Sequence, residues 1–554
     1  MNTKVSLSVK LLAAVILINV LASVLHTRID LTEDNRYTLT EQALQVVKGF
    51  KNPVIIDVLL DGNLPSEFLK LKVETRQILE EFAFQNANIK FNFIDPLKDG
   101  AQADAVIAEL QGLGLTPVNS TIEENGKVSQ EILFPWAMVN YRDNTVKVPL
   151  LKNKLGATTE ERINNSVQHL EYAFTDAFYK LNLTAKKKVA VIKGNGELDD
   201  RYIADYLTAI RDYYNIGAIT LDSVANDPQK VLDQLKTYDL ALIAKPTEAF
   251  TEAEKYVMDQ YVVHGGKSIW LIDQVAIELD SLFNEKGSSM AFPRDLNLND
   301  FFFKYGIRIN PVLINDMYFT QIVLATGEAT EAQYNPMPWV YHPLVFSRNT
   351  HPINKNMEAL RFQFANAIDT LPNAYTKEIL LWSSPLSKTD GTPKQISLDI
   401  INTPLQREHY TKGDQPLAVL IEGAFSSAFT NRIKPLSLKG TQEMGPLNKM
   451  MVIADGDLIK NQLRNGRPLE LGYDKWTNSF YGNKEFLVNS INYMLDDTGL
   501  INIRNKRVTI PLLDPEKIES QKIKWQVINI GVPVLLTILL GWFFTLYRRK
   551  KYSR

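Results

Sequence analysis

The chain has 554 residues, 45% of them hydrophobic and 22% charged, with 61 Lys and Arg against 63 Asp and Glu for a formal net charge of −2. That balance describes a folded chain of several structural units, and it excludes both disorder as the main theme and nucleic-acid binding driven by bulk charge. Cysteine is absent, which removes disulfide scaffolds, thiolate zinc sites, thiol redox chemistry and every cysteine nucleophile.

Lys4 and Lys10 introduce an apolar run, Leu11 to Leu25, broken by Asn19 and Ser23. From Val5 to Thr27 the segment can cross a bilayer if Lys10 snorkels. It also resembles a signal peptide, but Leu21-Ala22-Ser23 is a poor cleavage site, so an uncleaved anchor is expected.

Pro53 to Leu60 reads as a buried strand, Ser66 to Asn86 as a helix with Ser66 as its N-cap, and Ile89 to Ile94 as a second strand, together a βαβ unit. A helix from Asp104 to Leu113 and strands near Ile132–Tyr141 and Thr145–Leu150 follow. This order is similar to a thioredoxin-like fold, here a structural version without cysteine. The capping box Thr158-x-x-Glu161 opens a helix with Ile163, Val167, Leu170, Phe174, Phe178 and Leu181 on one face, which is expected to link two domains.

Beyond Lys186-Lys187-Lys188, strands at Val189–Ile192, Ile219–Leu221, Leu240–Ala244 and Ser268–Ile272 alternate with helices at Arg201–Tyr213, Val231–Leu235 and Glu252–Val263. Alternation of this kind predicts a mostly parallel α/β sheet with helices on both faces. Gly287 to Lys412, rich in Pro, Asn and aromatic residues, is expected to hold loops and β insertions. Regular pattern returns with strands at Leu417–Glu422 and Met450–Ile453 and a helix from Glu485 to Leu495.

Val527 to Tyr547 is a second apolar run of about 20 uncharged residues, flanked by Trp525, Trp542 and Tyr547 and followed by Arg548-Arg549-Lys550-Lys551. The basic cluster places that end in the cytoplasm, and Lys4 and Lys10 favour the same side for the first span. About Arg28 to Lys524 then lies across the membrane, which in a double-membrane bacterium is the periplasm. Asn19, Asn529, Gly531 and Pro533 are polar, small or kinking positions within the spans; they suit docking on a multi-span partner, or contact with headgroups and water.

Few motifs carry chemistry. Gly265-Gly266-Lys267-Ser268 ends like a phosphate loop, but Tyr261 stands where the first glycine is needed and the order is helix, loop, strand, so a tight turn suffices. Gly194-Asn195-Gly196 follows a strand where α/β sheets place ligands, yet a single Gly-x-Gly is weak evidence and a glycine turn with no ligand is the expected reading. The histidines at 26, 169, 264, 342, 351 and 409 form no zinc-binding helix pair, and no Gly-x-Ser-x-Gly elbow occurs. Catalytic, metal and cofactor residues are therefore not assigned. Tyr334, Trp339, Tyr341, His342 and Phe346 are the best candidates for a recognition surface for a partner or glycan, with loop packing over their own domain as the alternative.

Several stretches carry a family resemblance: Arg28-Ile29-Asp30-Leu31-Thr32 with Arg36-Tyr37-Thr38-Leu39, Leu71 to Gln77, Glu161 to Ser166, Gly482 to Phe486 and Asn489 to Asp497. On these the chain resembles the GldG family, gliding-motility-associated ABC transporter auxiliary components of Bacteroidota, over nearly its whole length. The resemblance implies a non-enzymatic inner-membrane subunit that works with a multi-span permease (GldF) and a cytoplasmic ATPase (GldA). It further implies that the large α/β part looks like the intraflagellar-transport domain, similar in fold to class I glutamine amidotransferases. Those enzymes need a cysteine nucleophile, so with none here that activity is not inherited.

Overall fold

Short apolar strands separated by helices build a four-stranded and a seven-stranded sheet with several smaller ones, and the computed structural model describes residues 13–17, 19, 30, 38–98, 103–124, 127–152, 155–326, 333–496, 498–506 and 515–552. Most of the expected first span lies outside the described residues. Met1–Arg507 forms one compact unit and Val508–Arg554 a second.

Helix α1 (Glu41–Lys48) is capped by Thr40, whose side chain accepts from the Ala43 amide. Strand β1 (Val54–Val58) continues through α2 (Ser66–Gln85) into β2 (Ile89–Phe93), which pairs parallel to it. Pro65, not Ser66, occupies the α2 N-cap and makes no side-chain cap bond; Ser66 instead donates to Glu67. After α3 (Ala103–Gly112) and a separate hairpin of β3 (Val118–Glu124) and β4 (Lys127–Leu133), strands β5 (Trp136–Tyr141) and β6 (Asn144–Pro149) complete a sheet in the order β2-β1-β5-β6. β5 runs antiparallel to both β1 and β6.

Helix α4 (Thr159–Asn182) has both halves of the Thr158/Glu161 capping box in place. Its six predicted apolar residues are all buried. Phe178 meets Phe50, just before β1, and Phe82 of α2 edge-on, at 5.7 and 5.1 Å. From its other side Asp176 accepts the Tyr213 hydroxyl at 2.8 Å. A helix packed from two sides buries even Glu171, which accepts the Thr40 amide at 2.7 Å. One stripe of periodicity does not reveal that second face.

The larger sheet begins with β7 (Lys188–Lys193), α5 (Asp200–Arg211), β8 (Asn215–Thr220), α6 (Pro228–Leu235), β9 (Leu240–Ala244), α7 (Glu252–Val263) and β10 (Lys267–Leu271). The predicted insertion follows as β11 (Val275–Ala276), β12 (Ser288–Pro293), α8 (Asn299–Lys304), β13 (Ile307–Ile309), β14 (Val312–Asp316), β15 (Phe319–Thr326), β16 (Gln333–Val345), β17 (Leu360–Arg361), β18 (Ile368–Thr370), β19 (Thr376–Trp382), β20 (Ser387–Gly391) and β21 (Lys394–Ser397). Strands β22 (Pro416–Ser426) and β23 (Met444–Ile453) and helix α9 (Asn483–Leu495) return to the main body.

The resulting seven-stranded sheet runs β19-β22-β23-β10-β9-β7-β8. It is parallel from β23 to β8, while β22 and β19 are antiparallel additions at one edge. The connection from β22 to β23 carries no helix, the element through which parallel neighbours are usually joined. Alternate residues of each strand feed two cores: Val189 and Val191 pack with α5 and α9, and Ala190 and Ile192 with α6 and α7.

Within the second unit, α10 (Pro515–Tyr552) contains Ser520–Tyr552, the one helix among the described residues that is long and apolar enough to cross a membrane. Pro533 lies inside it, and Thr537 donates back to the Pro533 and Val534 carbonyls at 3.0 and 2.8 Å.

Candidate functional site

Open α/β sheets place ligands beyond the carboxyl ends of their strands, and there this chain gathers charge. Lys245 directly follows β9, Asp273 lies just beyond β10, and Asp455 and Asp457 follow β23. Lys245 Nζ is 2.7 Å from Asp457, 2.6 Å from Glu278 and 3.4 Å from Asp273, and its side chain is buried. Its backbone holds φ at 56°, a strained setting for a lysine that often marks functional positions. Gly456 makes room for it, since a Cβ there would lie 2.4 Å from Lys245 Cγ. The Gly456 amide donates to Asp273 at 2.5 Å, and Asp455 accepts the Asp457 and Gln363 amides at 2.7 and 2.6 Å.

Burial disfavours a charged Lys245, but Asp457, Asp273 and Glu278 outweigh it and raise its pKa. Burial also opposes ionisation of Asp457, where Lys245 and Lys460 prevail and hold its pKa below the usual carboxylate range. Asp455 has no such cationic partner: burial, then Asp273 and Asp457, push its pKa well above the ordinary carboxylate value. Asp273, Glu278 and Asp457 offer oxygens within 4.8 Å of one another, the spacing of a metal site. The Lys245 ammonium already sits among them, so the chain supplies its own cation.

Beside this cluster opens a cleft of about 460 Å³ lined by Glu278, Gln321, Arg361, Gln363, Lys460 and Trp476, among others. Arg361 reaches Asp474 at 3.4 Å and His342 Nδ1 at 3.5 Å, and its Nε is buried without a hydrogen-bond acceptor among the described residues. Trp476 is 59% exposed at the cleft and stacks on Tyr334, 65% exposed, with centroids 6.3 Å apart and planes 20° from parallel.

The predicted recognition residues divide. Tyr334 and Phe346 are exposed, but Trp339, Tyr341 and His342 are core residues of the insertion, which corrects their placement on a surface. They belong to β16, a strand of the stretch where loops and β insertions were expected; Pro336 and Pro338 lie where it pairs with β15 on one side only, a position that tolerates a missing N–H. Burial, then Arg361, lowers the His342 pKa well below the ordinary value. Asn19 donates to the Val15 carbonyl one turn earlier at 2.9 Å, while Asn529, Gly531 and Pro533 lie along α10.

Gly194-Asn195-Gly196 makes a turn whose Asn195 carbonyl accepts the Thr247 and Glu248 amides, each at 2.9 Å, closing the crevice between β7 and β9. Gly265-Gly266 joins α7 to β10, and a Cβ on Gly266 would lie 2.3 Å from the Tyr261 ring, a packing reason for glycine. Lys245, Asp273, Asp455, Asp457, Arg361 and Trp476 did not stand out in the sequence. The signal was present for four of them: each is a charged residue within four positions of the end of a buried apolar strand, as in Leu242-Ile243-Ala244-Lys245.

Compared with known families, residues 186–490 match a family described as an ABC-type uncharacterized transport system, and residues 33–140 match a domain of unknown function, DUF7088. No curated protein matches the chain. Among solved structures, the mmIFT52 N-terminal domain is similar over 56% of this chain and 99% of its own, at 13% identity and a TM-score of 0.31, too low to support any conclusion.

Proposed function

The chain belongs to the family of ABC-type transport system auxiliary components, and from that premise we propose that it is a non-enzymatic, membrane-anchored substrate-binding subunit of a transporter of the GldG type, serving gliding motility in Bacteroidota. The match over residues 186–490 carries this reading, and the apolar helix Ser520–Tyr552 supports membrane association. In this reading the expected N-terminal span and α10 dock on a multi-span permease of the GldF kind, through positions such as Asn19, Asn529, Gly531 and Pro533. A GldA-like ATPase hydrolyses ATP on the cytoplasmic side, and the bulk of the chain lies in the periplasm. The strand order β2-β1-β5-β6 supports a cysteine-free thioredoxin-like N-terminal part, and the larger sheet is read as amidotransferase-like in fold. The strand-end lysine neutralised by its own carboxylates, in a chain without cysteine, supports a binding rather than a catalytic role.

Purification from native membranes in mild detergent is expected to bring down a multi-span permease and its ATPase in stoichiometric amount, and the isolated chain is expected neither to bind nor to hydrolyse ATP. Stoichiometric ATP binding by the isolated chain would overturn the reading. The cleft beside Lys460 favours one alternative, stand-alone ligand capture or scaffolding at the membrane; recovery of the chain without permease or ATPase would select it.

A further inference from the structure

We propose that the cleft between β15, Arg361 and the loop carrying Lys460 to Trp476 is a binding site for neutral oligosaccharides, with Trp476 and Tyr334 as its stacking platform. This names the ligand class of the substrate-binding subunit and rests on that reading for its biological role.

The platform is the first argument. Two large rings, both more than half exposed and stacked on each other, leave apolar surface at the edge of a polar cleft. Apart from their mutual stack and Lys475 Nζ over the Trp476 ring at 5.1 Å, both rings stay open to solvent. A sugar ring offers what this surface lacks, an apolar C–H face for stacking with hydroxyls around its rim for hydrogen bonding.

The platform is also held in place. Asp474 accepts from the Trp476 amide at 3.2 Å, from Thr477 Oγ1 at 2.8 Å and from Gln462 Nε2 at 3.1 Å, while Gln462 accepts the Lys475 amide at 2.9 Å. A site fixed by its own hydrogen bonds loses little entropy when a ligand arrives.

Charge selects the ligand class. Lys460 is paired with Asp457 at 3.2 Å and Glu278 at 3.4 Å, and Arg361 with Asp474. Lys475 donates to the Leu463 carbonyl at 2.9 Å and lies 5.1 Å from the Trp476 ring centroid. With these cations matched by partners inside the protein, an anionic ligand would compete with them, whereas a neutral one would not. Hydrogen-bonding capacity remains: the amides of Gln321 and Gln363 line the cleft and the buried Arg361 Nε lacks an acceptor. A volume near 460 Å³ suits a bound segment of two or three sugar units.

The test is calorimetric titration of the full-length protein, purified in an amine-oxide detergent that carries no sugar headgroup, with maltotriose, cellotriose, mannotriose and triacetylchitotriose. At least one should bind saturably. Trp476→Ala should weaken that binding roughly tenfold or more, and Trp476→Phe should retain most of it. Because Trp476 is largely exposed, both variants should fold. No binding of any of the four, equal binding by the Trp476→Ala variant, or binding of an anionic saccharide or peptide in their place would overturn the proposal. The titration involves no permease, so its failure leaves the co-purification result standing, and the converse holds.

Discussion

Replacing Lys245 with Met is expected to destabilise the protein by roughly 3–5 kcal/mol, because it leaves Asp273 and Asp457 buried with their central counter-charge gone. Removing one partner of a buried ion cluster costs more than the pair itself contributes, since the remaining charge stays desolvated. The double variant Lys245→Met, Asp457→Asn should therefore recover part of the loss. Thermal unfolding of the full-length chain in detergent, followed by tryptophan fluorescence, measures both. A Lys245→Met protein as stable as the parent would mean that the three carboxylates find another neutraliser, and the account of the cluster as self-supplied would fail.

The second large effect is expected at Glu485, on α9. Its Oε1 lies 2.8 Å from Lys152 Nζ and 2.9 Å from Arg504 Nη2. Lys152 also donates to the Asn356 carbonyl at 2.5 Å, and Arg504 to those of Lys355 at 2.6 Å and Pro352 at 3.2 Å. Arg504 further lies over the Tyr172 ring of α4 at 5.2 Å, so one carboxylate ties together the segment after β6, α4, α9 and the chain near residue 504.

Burial opposes ionisation of Glu485, but Lys152, Arg504 and His169 outweigh it and lower its pKa from the ordinary 4.5 to about 2. A carboxylate depressed in the folded state stabilises it above its unfolded pKa, and the contribution is lost as pH falls from about 4.5 towards 2. Discounted for the quarter of the side chain left exposed, the displacement corresponds to roughly 2 kcal/mol. Glu485→Gln should destabilise by about 2–4 kcal/mol at neutral pH and flatten the acid limb of a melting-temperature profile between pH 5 and 2. An acid limb identical to the parent's would place that loss of stability elsewhere.

Local order was legible in the sequence because it depends on neighbours along the chain. The strand read at Leu240–Ala244 and the helix read at Glu252–Val263 became β9 and α7 with those bounds, the Thr158/Glu161 capping box formed as spelled, and the charge-free run after Val527 lies in the membrane-length helix. The missing cysteines and the incomplete phosphate loop at Gly265–Ser268 likewise bounded the chemistry from the sequence alone.

Tertiary structure alone decided which side chains meet. Lys245 and Asp457 are 212 residues apart and Lys152 and Glu485 are 333 apart. Each contact follows from the folded arrangement of distant segments, as in the pairing of β10 with both β9 and β23, which leaves no mark in local periodicity. The same limit misplaced Trp339, Tyr341 and His342: an aromatic, proline-rich segment looks alike whether it faces solvent or a core. Only the layer packed against β16 buried those three and left Tyr334 beside Trp476.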